Sequence, residues 1–217
     1  MLQLFNNFQS KILQQILSYK IPVISLSKDT SPEAVCQIFE NVNTGGVVLT
    51  VFELVTAKFA AYGANYNLRE TWDEIKNSFD NRKDDLLSEV TGTNFITAMT
   101  LLIAYLKSRA TGSTVSCKKR DVLRLDVKDF YNYKDTLERG FISAANFLAK
   151  QGIYTSRDLP YSTQYIPLAA IFAYDAMNKN LLALQPNLDK LARWYWCGVL
   201  GELYGASNET RYALDII

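Results

Sequence analysis

The sequence predicts a mainly α protein: an irregular multi-helix bundle of about eight or nine helices, with at most one or two short strands near the N-terminus. Three observations predict it. Apolar residues recur three and four positions apart through most of the chain, as one face of a helix requires. Cap and stop residues bracket those stretches. Only Ile21–Ser27, "IPVISLS", has the short β-branched character of a strand.

Taken in order, Leu4, Phe5, Phe8, Ile12, Leu13, Ile16 and Leu17 fall at helical spacing before Tyr19. After the strand-like segment, Ser31 reads as an N-cap with Pro32 and Glu33 in the first turn of a helix that should stop at Gly45-Gly46. Thr50 and Glu53 form a T-x-x-E capping-box pattern for a helix ending at Gly63. Leu68, Trp72, Ile75 and Phe79 mark the next, and "FDNRKDD" reads as a charged connection. Thr93 or Asn94 opens an apolar helix through Lys107, and "ATGSTVSCKKRD" is a loop around Gly112. "DVKDFYNYKDTLERGFISAANFLAK" is a long amphipathic helix closed by Gly152. "YTSRDLPYSTQY" is a second loop, and "IPLAAIFAYDAMNK" a helix that tolerates Pro167 only in its first turn. Asn187 begins "LDKLARWYWCGVLGELYG", and Ser207 or Asn208 caps the closing "SNETRYALDII". No fixed period points to a solenoid.

Composition bounds the function. The chain has 217 residues, 48% hydrophobic and 21% charged, which suits a folded domain with a sizeable core. Thirteen Tyr, eleven Phe and three Trp call for a thick core or an interface. The net charge of +1 shows no basic excess of the kind that wraps a phosphate backbone. There is no histidine, which removes Ser-His-Asp and Cys-His catalysis, HNH nuclease chemistry and every His-containing metal site. Cys36, Cys117 and Cys197 are odd in number and far apart, so they read as thiols of a reducing compartment rather than a zinc site or a disulfide framework. The first residues lack the layout of a signal peptide, and no apolar run reaches the roughly 18–20 residues that span a bilayer. A cytoplasmic protein with no membrane partner is the expectation.

Four constellations invite chemistry. Asn43-Thr44-Gly45-Gly46 places two glycines before a helix start, where backbone N–H groups favour an anion. The same residues are also what a turn between two helices needs, and no GK[ST] follows to make a P-loop. Asp121, Asp126, Asp129 and Glu138 offer paired acids for Mg²⁺ or acid–base work, yet they lie among Lys and Arg at the spacing of a solvated face. Arg193-Trp194-Tyr195-Trp196 could stack on bases, but consecutive positions cannot share one helix face, so at least one ring must leave the core or meet a second element. An Arg beside such aromatics usually has a planar partner. The densest basic run is Lys118-Lys119-Arg120, which reads equally as a solvated loop.

Three separated segments then line up with a known family. "IFENVNTGGVVLTVFELVTAKF", with Phe39, Asn43, Gly46 and Leu49 in an F-x-x-x-N-x-x-G-x-x-L pattern, resembles the N-terminal domain family of GmrSD-type restriction endonucleases. "PYSTQYIPLAAIFAY" and "RWYWCGVLGELYGASNETRYALDI" look like two later segments of that family, and "CKKRDVLRL" is compatible with its intervening loop. The resemblance covers most of the chain. It implies a bacterial, modification-dependent restriction or phage-defence protein whose ParB/sulfiredoxin-like module hydrolyses a nucleotide to control DNA cleavage, with a separate HNH nuclease. The family's hydrolytic D-G-Q-Q-R stretch is absent from this sequence, and with no His the nuclease is absent too.

The resemblance therefore implies residues 1–63 as the remainder of a ParB-like module and 64–217 as a helical domain, supporting nucleotide-controlled DNA recognition and catalytically incomplete alone. On it, Asn43, Thr44, Gly45 and Gly46 bind a nucleotide or form the loop that does. For Arg193, Trp194 and Trp196 it carries over motif membership alone; Lys118, Lys119, Arg120 and Arg193 are candidate DNA or ligand contacts by their charge and neighbours. No catalytic residue and no metal ligand is assigned, and NTP with Mg belongs to the intact parent protein. DNA and nucleotide are partners through that parent, with homo-oligomerisation a further option. The alternative is a helical protein-interaction or self-association module that binds neither nucleotide nor DNA.

Overall fold

The computed structural model describes residues 2–20, 23, 25, 27, 30, 34, 38, 49–63, 65–205 and 208–217. The protein is mainly α, a multi-helix bundle, and no strand occurs among the described residues. The expected strand at Ile21–Ser27, the helix expected from Ser31 to Gly45 and the Asn43–Gly46 turn lie largely or wholly outside the described residues. Two compact units divide the chain, Met1–Ser31 and Pro32–Ile217.

The first unit carries α1 (Leu2–Phe8), a π-helical turn (Gln9–Leu13) and α2 (Gln14–Ser18). The residues at the junctions, Phe8, Leu13 and Gln14, are all right-handed helical, so the three run on as one rod. Every residue from Gln3 to Lys20 is exposed.

The second unit begins, among described residues, with α3 (Val51–Ala60). Its capping box is the one read from T-x-x-E: Glu53 N–H donates to Thr50 Oγ1, and Glu53 Oε2 accepts from Thr50 N–H at 2.7 Å. Next come α4 (Leu68–Asn81), capped by Asn67, and the single turn α5 (Asp85–Ser88), capped by Asp84 within the expected charged connection. In α6 (Gly92–Thr111) the cap is Thr91, not Thr93 or Asn94. Asn94 instead completes the box, its Oδ1 accepting from Thr91 N–H at 3.0 Å. Gly92 is required there because a Cβ would sit 2.7 Å from the Phe52 ring. The helix runs four residues past Lys107 and stops at Gly112, whose φ of +73° closes it.

Lys119–Leu123 forms a short helix, α7, correcting the expectation of loop through Asp121. The long α8 (Val127–Lys150) follows, with Asp126 accepting from the N–H groups of Lys128 and Asp129. Single 3₁₀ turns at Ser156–Asp158 and Ser162–Gln164 lead into α9 (Tyr165–Met177), where Pro167 sits in the first turn. A further 3₁₀ turn, Leu181–Ala183, precedes α10 (Gln185–Leu200). α10 starts two residues before Asn187, because Pro186 needs no N–H donor in a first turn. It ends at Gly201 rather than running to Gly205, with Glu202 at φ +51° turning the chain, and α11 (Asn208–Ile216) closes it.

α9 is the centre. It packs chiefly on α8, then on α6 and α11. Its Leu168, Ala169, Ala170 and Ala173 are fully buried. The contact with α8 is backbone-close: a Cβ on Gly140 would lie 2.4 Å from Ala169 O and 2.9 Å from Ala173 Cβ. The aromatic load fills the interior around this pair. Phe95 stacks on Phe141 with centroids 5.6 Å apart, and Trp72, Phe79 and Phe130 meet them edge-on or tilted.

Candidate functional site

The basic run Lys118-Lys119-Arg120 is exposed and opens α7. Just before it Val115 and Cys117 are buried, with the half-buried Ser116 between them. Ser116 Oγ donates to Asp121 Oδ2 at 2.5 Å, and the same carboxylate accepts from Lys118 N–H. From α3, Lys58 Nζ donates to Leu123 O at 3.0 Å and Leu125 O at 2.8 Å, closing the end of α7. Burial lowers its pKa, against the opposing pull of Asp126.

Under this segment lies a cleft of about 210 Å³, floored by Thr100, Ile103 and Ala104 and walled by Lys107, Asp121, Arg124 and Asp126. Two cations face two carboxylates, so the cleft carries no cationic surplus to hold a phosphate chain. The acids singled out in the sequence each have a structural task. Asp121 orders the loop, Asp126 caps α8, Asp129 pairs with Lys107 at 2.8 Å, and Glu138 accepts from Ser78 Oγ at 2.6 Å. Among the described residues no group of three His, Cys, Asp or Glu side chains could hold a metal ion. Burial, then the charges of Glu209 and Asp121, push the Cys117 thiol up to about 12, which disfavours its thiolate.

The Arg193–Trp196 stretch resolves as packing. Tyr195 is fully buried, and burial raises its phenol to about 12. The flanking indoles reach neighbouring elements: Trp194 Nε1 donates to Asp215 Oδ1 at 3.1 Å, and Trp196 Nε1 to Gln151 Oε1 at 3.2 Å. Arg193 is exposed and makes no hydrogen bond or ion pair among the described residues, so it lacks the planar partner expected of it. A guanidinium that does have one is Arg211, whose Nη2 lies 2.6 Å from Asp215 Oδ1. Tyr204 OH also donates to Asp215, and burial with that carboxylate holds its phenol far above the ordinary range. Asp215, with a side chain 1% exposed, therefore ties Trp194, Tyr204 and Arg211 together. The i,i+4 pair Arg211–Asp215 was the signal for this knot in the sequence.

The later family-like segments converge here. Gln164 is completely buried and donates from Nε2 to Tyr195 O at 3.1 Å. Gly198 admits it, since a Cβ there would lie 2.8 Å from that nitrogen. The rings of Tyr161 and Tyr204 lie 6.1 Å apart, and the Cys117 thiol donates to Glu209 O at 3.7 Å. "CKKRDVLRL", "PYSTQYIPLAAIFAY" and "RWYWCGVLGELYGASNETRYALDI" thus contribute to one interior. Asn43, Thr44, Gly45 and Gly46 lie outside the described residues.

No family profile matches the chain, and no solved structure does. It is similar to an uncharacterized protein of Methanocaldococcus jannaschii, 25% identical over 212 residues, which cover 94% of this chain and 33% of that protein. The chain therefore spans about a third of the length of the curated relative it matches.

Proposed function

We propose that this chain is the helical part of a GmrSD-like, modification-dependent restriction or phage-defence protein, a module that supports nucleotide-controlled DNA recognition and has no catalysis of its own. The observation that carries this reading is the convergence just described. Two segments that resemble the family, "PYSTQYIPLAAIFAY" and "RWYWCGVLGELYGASNETRYALDI", meet through Gln164 and Tyr195, and Cys117 of the loop compatible with it joins them. The satisfied carboxylates and the high-pKa Cys117 support the non-catalytic half of the reading. Asn43–Gly46, where the resemblance puts the nucleotide, lie outside the described residues. The test is hydrolysis of ATP and GTP with Mg²⁺, alongside cleavage of modified duplex DNA. The expected result is no turnover by the chain alone. Hydrolysis that disappears in Asn43→Ala would overturn the non-catalytic half.

A second reading, an interaction or self-association module binding neither nucleotide nor DNA, is favoured by the exposed apolar run of α1 and α2. Leu4 and Leu17 there are 76% and 83% exposed. Concentration-dependent association in light scattering, lost in an Ile16→Lys, Leu17→Lys double variant, is its expected signature. A strict monomer sinks it.

A further inference from the structure

The rod of the first unit leaves Leu4, Phe5, Phe8, Leu13, Ile16 and Leu17 all exposed. The π-helical turn at Gln9–Leu13 decides how they are arranged. Its i→i+5 bond, from Gln14 N–H to Gln9 O, winds the chain more slowly than an α-turn does. At about 100° per residue throughout, the six side chains would spread over roughly 220° of the rod. At about 80° per residue through the π turn, they fall within roughly 120°. Asn6, Asn7, Ser10, Lys11, Gln14 and Gln15 then stand on the opposite side. The slower turn thus gathers the apolar residues of both helices into one stripe, of the width an amphipathic helix buries.

Charge selects what covers that stripe. Of the 23 basic and 22 acidic residues in the chain, Lys11, Lys20 and Lys28 precede Asp29 and no acidic residue does. A second copy fits this poorly. Paired rods would bring lysines together with no carboxylate between them, and the stripe is about two heptads long, short of the three or four that sustain a coiled coil. A bilayer surface with anionic headgroups fits both features. Its acyl chains take the Leu, Ile and Phe side chains, and its headgroups attract the lysines. Among the described residues no helix is long and apolar enough to cross a membrane. Lying on one requires only a face, so the expectation of no membrane partner, which rested on the missing span, does not bear on it.

We propose that the rod Leu2–Ser18 is an in-plane anchor for an anionic lipid surface, with Phe5, Phe8, Leu13 and Ile16 set among the acyl chains and Lys11 and Lys20 supplying the attraction to headgroups. This anchor is independent of the defence reading and competes with self-association for the same face.

The test is flotation of the full chain with vesicles of phosphatidylcholine alone and of phosphatidylcholine with about 30% phosphatidylglycerol. The chain should bind the anionic vesicles about tenfold more tightly, and added salt should weaken that binding. Phe5→Gln with Phe8→Gln removes apolar contact, and Lys11→Gln with Lys20→Gln removes charge. Each pair should weaken binding by about tenfold or more while thermal unfolding of the second unit stays unchanged. Absence of flotation with either vesicle overturns the anchor, as does binding that both pairs leave intact. Equal binding to the two vesicles overturns its anionic preference. A dimer in sedimentation that the phenylalanine pair dissolves, with no flotation, gives the face to a second copy and overturns the lipid assignment.

Discussion

The rod formed by α1 and α2 and the central helix α9 are both apolar helices in the sequence, yet they end in opposite environments. In α9, Leu168, Ala169, Ala170 and Ala173 are fully buried. In the rod, Ile16 is 67% exposed and every residue from Gln3 to Lys20 is exposed. Spacing gives the helical period in both cases, but it says nothing of what lies across the face. α9 is hemmed by small residues that admit α8 at backbone distance. The rod presents Leu and Phe to water, and a helix of its length is marginal there without cover.

That contrast can be broken most sharply inside the second unit. Asp215→Ala strands the Trp194 indole, the Tyr204 hydroxyl and the Arg211 guanidinium around an empty position. A loss of about 3 kcal/mol in urea unfolding is expected. Gly140→Ala comes next. The new methyl meets Ala169 O, which has no rotamer to escape by, and α8 must move off α9 at a cost of about 2 kcal/mol.

A smaller effect is expected at the start of α3. The hydrogen bond from the Thr50 side chain holds the Glu53 carboxyl below its ordinary pKa of 4.5, against a partial desolvation. A depressed carboxylate contributes stability that is present above its unfolded pKa and lost as pH falls through its folded pKa. Thermal stability should therefore drop from below about pH 5 downward, and the difference between the wild type and Glu53→Gln should shrink over that window. The smallest effect belongs to the rod. Replacing Ile16 and Leu17 by Gln should change monomer stability by no more than about 0.5 kcal/mol, because neither side chain leaves water on folding. A loss of 2 kcal/mol or more there would show that the rod does not stand as described.

Most helices were legible because their signals are local. The Thr50–Glu53 box, the stop at Gly112 and the first-turn Pro167 depend on neighbours within four residues. The misses were short or shared. α5 and α7 are single-turn helices too brief for a period to show. Thr91 lost to Thr93 and Asn94 in the reading because three candidate caps stand within four positions, and the reciprocal Thr91–Asn94 bonds are what single out Thr91. In the site, the aromatic stretch at 193–196 was visible, but its partner lies some twenty residues on. Trp194 needed Asp215, and no spacing rule links them. Arg193 stood out by adjacency, while Arg211 holds the carboxylate because it stands one turn before Asp215 on α11.

The Gly140–Ala169 contact also sets a clock. Where two helices touch through backbone, opening one exposes the other, so the amides of residues 137–148 and 168–173 should exchange with solvent only when the whole second unit unfolds. Their exchange rates then report the global free energy directly. Phe141 and Ile166 belong to this same helix pair and line a cavity of about 380 Å³. Any molecule that binds only the folded unit would slow those amides, without any label on it.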